Sequence, residues 1–294
     1  MSEPRLFGNL FLSAGAMKAG TTWLYHVLNR HPELHFTPEK EIHYFYHRYV
    51  DSGTLNDRRR MEEARGRYLF RFDPANANVD RIRQNLHWVA SYLSGPVDDF
   101  WYRNLFINMR RETYGCDFSN LYALLPAEAW PRIAADCDRL RVLYTLRHPV
   151  RRLWSHVKFH LQVSNGLESL KSWTPEEFEA FARQPFLWNN TEYGRALRNM
   201  KAGLAPEMLK AIFYEDLHAD HNAALTEIED FLGIARFEYP QAVLSRRVNE
   251  SVNHPMPEFF PGLFAADFER IMAELEDEGL TIPESWRAPI LAEA

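Results

Sequence analysis

Residues Gly15–Leu28 read GAMKAGTTWLYHVL, and the reading of this stretch decides the fold. A loop that grips nucleotide phosphates in the Walker manner runs G-x-x-x-x-G-K-[ST]. Gly15 and Gly20 keep that spacing and Thr22 supplies the final hydroxyl, but Thr21 stands where the lysine belongs. The only lysine, Lys18, lies inside the loop. Upstream, Asn9–Ala14 (NLFLSA) is a short apolar run that stops at Gly15, as a buried parallel strand does. Downstream, Leu24, Val27 and Leu28 recur at helical spacing. Strand, glycine loop and helix is the context in which backbone N–H groups from Ala16 to Thr22 converge on an anion.

Working outward, HPELHF (His31–Phe36) turns at Pro32 and reads as a second strand. Leu140–Leu146 (LRVLYTL) is the clearest further strand, and a helix follows from Pro149, a residue suited to a first helical turn. Glu176–Arg183 and Thr191–Lys201 read as helices, and Ala211–Tyr214 as a short strand. A helix then runs to Leu232 and stops at Gly233, and Pro261–Glu278 closes the chain as one helix. Strands alternating with helices predict an α/β fold: three layers, a central parallel sheet flanked by helices. The whole of 1–294 reads as a single domain. The polar, arginine-rich region of about 50–110 reads as a helical insertion that caps and shapes a site at the carboxyl ends of the strands. Within it, Arg58, Arg59 and Arg60 read as a solvated helix face. Trp88, Tyr92, Phe100, Trp101, Tyr102 and Phe106 read as core, with a lining of the acceptor pocket as the other reading.

The formal charge of −6, from 34 Lys and Arg against 40 Asp and Glu, argues against a nucleic-acid partner. An anionic ligand needs a local basic site instead. Cys116 and Cys137, the only two cysteines, read as buried, inert thiols. No run of 18 apolar residues is present and the N-terminus lacks a charged head, which predicts a cytoplasmic protein with no membrane anchor. The oligomeric state is not written in the sequence.

A Mg²⁺-dependent nucleotide enzyme needs a carboxylate at the end of a neighbouring strand. LRVLYTL ends instead in Arg147-His148-Pro149, an anion site, so no metal is expected.

With these residues in hand, a resemblance emerges. MKAGTTWLYHVL resembles the 5′-phosphosulfate loop of the sulfotransferases that use 3′-phosphoadenosine 5′-phosphosulfate (PAPS), in which the lysine falls where Lys18 is. LYTLRHPVRRLWSH is similar to that family's 3′-phosphate motif, with Arg147 and Ser155 at its spacing, and FYEDL (Phe213–Leu217) and ALTEIEDFLGI are similar to later segments. The matches run from about residue 9 to 234. The resemblance implies that Lys18, Ala19, Gly20, Thr21 and Thr22 hold the phosphosulfate. It further implies that Trp23 stacks on adenine, Tyr214 touches the base edge, and Arg147 and Ser155 hold the 3′-phosphate. Arg246 and Arg247 are candidates for a further basic loop to that phosphate, although the family's Arg-Lys-Gly is absent. The product would be adenosine 3′,5′-bisphosphate (PAP).

The acceptor proton needs a base and the leaving phosphate needs stabilised charge. In the branch acting on small molecules the base is a histidine, and Ser119 of SNLYALLP stands in its place. Lys40-Glu41-Ile42-His43-Tyr44-Phe45 resembles instead the glutamate motif of the heparan-type branch. That resemblance implies Glu41 as the base, with His43 orienting it or touching substrate, and Lys18 stabilising the leaving group. Both branches carry a second lysine where Asp117 and Phe118 stand here; Lys40 is a candidate replacement. The heparan-type branch also carries a C-terminal disulfide loop that this chain's cysteines cannot form. The acceptor is a glycan, a glycoside or a small molecule, sulfated on a hydroxyl or, less readily, an amine. The competing readings are a P-loop nucleotide kinase or hydrolase, and a non-catalytic nucleotide-binding module.

Overall fold

The computed structural model describes residues 5–69, 78–246, 248 and 254–288. Five strands, β1 (Phe7–Ser13), β2 (Leu34–Phe36), β3 (Tyr114–Phe118), β4 (Cys137–Leu146) and β5 (Leu209–Phe213), form one sheet in the order β2-β3-β1-β4-β5. Every pairing is parallel. Side chains alternate across it as the strand period demands. Leu10, Leu12, Val142 and Tyr144 face one core, while Phe11, Cys116, Phe118 and Leu143 face another. The second core is covered by the helices Thr21–Leu28 and His221–Leu232. Both faces are therefore buried, which is the expected three-layer α/β arrangement.

β3 was absent from the sequence reading. Its segment, YGCDF, places a glycine and an aspartate in a fully buried strand, so no continuous apolar run announces it. The expected closing helix is two helices, Phe260–Leu263 and Ala265–Asp277, broken at Phe264, whose φ of −121° is not helical. The helix His221–Leu232 ends as expected at Gly233 in the left-handed region (φ +67°).

The region 50–110 is helical, with helices Asp57–Ala64, Val79–Leu93 and Asp99–Asn104. Its aromatics mostly join the first core: Trp88, Tyr92, Trp101 and Tyr102 are buried, and Tyr102 packs on Phe7 of β1. Phe100 is 63 % exposed. The solvated reading of the arginine run fails at Arg60. Its guanidinium is buried and donates to the carbonyls of Tyr92 and Ser94 (both 2.6 Å) and to Asp57 Oδ1 (2.7 Å). These distant carbonyls and Asp57 serve Nη1 and Nη2, while the buried Nε has no partner. Cys116 and Cys137 are buried and unpaired, as expected. Among the described residues, no helix is long and apolar enough to cross a membrane.

Candidate active site at the carboxyl end of the sheet

All five strands deliver a site segment from their carboxyl ends, the place where open parallel sheets bind ligands. β1 feeds the Gly15–Gly20 loop, β2 leads to Lys40-Glu41, β3 to Asn120, β4 to Arg147 and β5 to Tyr214.

The loop is fixed by its two glycines. Gly15 (φ +109°) and Gly20 (φ +84°) occupy backbone conformations that L side chains rarely adopt. A Cβ on Gly15 would lie 2.9 Å from the Asn120 carbonyl oxygen, and one on Gly20 would lie 2.8 Å from the Tyr214 ring. Gly20→Ala is therefore expected to cost ~1–3 kcal/mol in strain, read as a lower Tm. Normal stability would show that Tyr214 yields. Two loop amides already have partners inside the chain: Ala16 N–H donates to Thr145 O (2.7 Å) and Ala19 N–H to Ala16 O (3.2 Å). That corrects the expectation that every amide from Ala16 to Thr22 faces an anion. The helix Thr21–Leu28 has no side-chain cap at its N-terminus, where amides lack an intrahelical carbonyl. Lys18 sits at φ +68°, and its Nζ lies 4.6 Å from the centre of the Phe159 ring on the helix Pro149–Val163.

Cations gather here. Burial first, then the charges of Arg147, Lys158 and Lys40, lower the Lys18 pKa to about 8. Lys40 Nζ donates to Thr21 Oγ1 (3.2 Å) and pairs with Glu41 Oε1. Arg147 donates through Nη1 to the Lys18 carbonyl (3.2 Å), and its guanidinium lies 4.6 Å from the centre of the Tyr214 ring. Its buried Nε has no partner. Ser155 is buried one to two turns into the helix Pro149–Val163, and Lys158 follows at i+3. Neighbouring histidines register the same positive field. Burial and Arg152, then Lys18, lower His156 to about 2, while burial, His221 and Arg147 lower His218 to about 4.

The segment after β2 brings a carboxylate to this rim. Glu41 Oε2 accepts from the Asn120 N–H (3.0 Å), and Oε1 accepts from Asn120 Nδ2 (3.3 Å). His43 Nε2 lies 3.5 Å from Oε2. Burial would raise the Glu41 pKa, but Lys40, His43 and the Asn120 amide together hold it below its ordinary value. A quarter of its side-chain surface remains exposed, so an ionised carboxylate is reachable from solvent. Asn120 thus touches both the loop, at Gly15, and Glu41. Ser119 does not face the site: its buried hydroxyl accepts from the His43 N–H (2.8 Å).

The other sequence candidates fall as follows. Trp23 is 5 % exposed, its indole N–H donates to the Leu244 carbonyl (3.1 Å), and His221 stacks on it at 4.8 Å. Tyr214 packs on Gly20 and the His218 ring. Arg246 is exposed, and Arg247 lies outside the described residues. Lys158 and Asn120 were missed; the signal for Lys158 was its place one helical turn beyond Ser155.

A parallel sheet whose first strand feeds an uncapped glycine loop ringed by cations belongs to the phosphate-loop class of α/β folds. Within that class the chain belongs to the sulfotransferase family, whose model matches residues 12–238, and it is a sulfotransferase. Solved structures agree on the fold. A sulfotransferase from Alicyclobacillus acidocaldarius is 22 % identical with a TM-score of 0.62, over 98 % of this chain and 100 % of that one. The sulfotransferase domain of the Synechococcus PCC 7002 olefin synthase is 17 % identical with a TM-score of 0.54, over 96 % and 98 % of the two chains. The sulfotransferase domain from the curacin biosynthetic pathway is 19 % identical with a TM-score of 0.54, over 95 % and 100 %. None of the curated protein sequences matches the chain. Family membership sets aside both the kinase or hydrolase reading and the non-catalytic module.

Proposed function

We propose that the chain transfers the sulfuryl group of PAPS to a hydroxyl of a glycan, glycoside or small molecule. The observation that carries this reading is the convergence of Lys18, Lys40, Arg147 and Lys158 on an uncapped loop and helix start. The residues suit a doubly phosphorylated anion. Arg147 Nε is an unpartnered buried donor, and the Lys18 pKa is lowered to about 8 by burial first and then by neighbouring cations whose repulsion a bound anion would offset.

PAPS supplies an activated sulfuryl group on a phosphate leaving group. The loop from Lys18 to Thr22 would hold the phosphosulfate, and Arg147 and Ser155 the 3′-phosphate. Glu41 would take the acceptor proton as the acceptor oxygen bonds to sulfur and the sulfur–oxygen bond to the 5′-phosphate breaks. Lys18 would stabilise charge on the departing phosphate oxygen. Lys40 would stand in for the family's second lysine, because it bridges the loop threonine and the base. Adenine would lie beside Tyr214. The face of Trp23 is shared with His221, so its part would be a wall and not a free stacking plane.

For the acceptor, Phe159 is 39 % exposed with Lys18 Nζ over its ring, and its exposed part would be an apolar contact for a sugar or aromatic ring. The insertion reaches this side through Arg67 and Tyr68, which both contact the buried Glu39 two residues before the base.

Lys18 gives the reading a pH signature. Its free pKa is about 8 and a bound polyanion raises it, so binding takes up a proton at alkaline pH. PAP affinity should be level below pH 8 and fall above it by up to about tenfold per pH unit. Titration at pH 7, 8 and 9 checks this, with Lys18→Met expected to flatten the profile. A flat wild-type profile would remove Lys18 from the donor site.

A further inference from the structure

Asp117 occupies the stretch where the family's second lysine is expected, and nothing in the donor site uses it. It lies on β3 opposite Leu12 of β1, on the sheet face that meets the insertion, and it is fully buried. Its carboxylate accepts three hydroxyl hydrogen bonds: Ser119 Oγ to Oδ1 (2.6 Å), and Tyr122 Oη (2.5 Å) and Tyr102 Oη (3.0 Å) to Oδ2. Two of those hydroxyls have a second task. Ser119 Oγ accepts the His43 N–H (2.8 Å) and Tyr122 Oη accepts the Phe45 N–H (3.4 Å). These amides stand at the start of the helix Tyr44–Tyr49, where no side chain of its own cap serves.

His43 needs such an anchor. It sits at φ +60°, a left-handed conformation uncommon for a residue with a side chain, and that turn separates Glu41 from the helix. We propose that Asp117 is a positioning residue: through Ser119 and Tyr122 it pins the His43 and Phe45 amides, and so holds Glu41 and His43 against the donor loop. The proposal rests on the reading of Glu41 as the base.

The arrangement is not one a stability argument would choose. Burial raises Asp117 to about 6, against three hydroxyl bonds that lower it, with Glu41 adding repulsion. The titratable groups around it are Cys116 beside it on β3, Tyr102 from the insertion, Tyr122 beyond β3, and Glu41 and His43 on the segment above. Because its folded pKa lies above its unfolded value of 3.8, ionised Asp117 opposes folding, fully so above pH 6. A charge that opposes folding yet holds the base segment marks a functional compromise.

The test is a double-mutant cycle on the full chain, read as PAP released from PAPS with 4-nitrophenol as acceptor and water in its absence. Asp117→Asn and Ser119→Ala should each lower turnover at least about tenfold at pH 7, with PAP affinity by calorimetry nearly unchanged. Asp117→Asn should keep its Tm within a few degrees, and it should lack the fall in rate that protonation of Asp117 is expected to give the wild type below about pH 6. In a Glu41→Gln background, neither change should lower the rate further. If Glu41→Gln is slow but Asp117→Asn turns over normally, or their losses multiply, the positioning role is wrong and the base stands. If Glu41→Gln is itself near normal, the base assignment fails first and takes the positioning role with it.

Discussion

Glu41→Gln is expected to lower turnover roughly 100-fold or more while leaving PAP binding nearly unchanged. Glutamine keeps the shape and can still accept from the Asn120 amide, but it cannot take a proton. Donor binding should survive because the loop, Arg147 and Ser155 come from β1 and β4, not from the β2 segment that carries Glu41. A companion His43→Ala separates the two residues. If His43 only orients Glu41, its loss should be partial; a loss equal to that of Glu41→Gln would assign both to the proton transfer. Near-normal turnover of Glu41→Gln would remove the base.

Arg147→Ala is expected to weaken PAP by ~2–3 kcal/mol, about 30- to 150-fold, on the scale of a hydrogen bond to a charged group. Binding of AMP, which lacks the 3′-phosphate, should change far less. The comparison matters because Arg147 also supports the Lys18 carbonyl and packs on Tyr214. A loss through a disturbed loop would weaken both ligands equally. Calorimetry showing equal losses would therefore move Arg147 from ligand contact to scaffold.

The parts legible in the sequence share a physical reason: each is local. Two glycines with forbidden side-chain space, a proline opening a helix and a glycine closing one write themselves into neighbouring residues. β4 was legible because it is buried and apolar over its second half. β3 was not, because Asp117 is buried at the expense of hydroxyls from residues 102 and 122, and no local pattern predicts those partners. Arg60 escaped for the same reason, its carbonyl partners lying more than thirty residues away. The donor loop could be read as a motif, but the sequence could not show that Asn120 ties it to Glu41 or that His221 covers Trp23. Those are contacts between strand ends that only the parallel sheet brings together. The insertion shows the limit most clearly: Trp88, Tyr92, Trp101 and Tyr102 read as core and are core, whereas Phe100 read the same way and is exposed.

The most direct test of the central claim is isothermal titration of the protein with PAP, set beside ATP with Mg²⁺, each with and without EDTA. The four cations around the loop, Arg147 among them, predict tight PAP binding that EDTA does not alter, and little binding of ATP. Binding of Mg·ATP in preference to PAP would contradict the donor site.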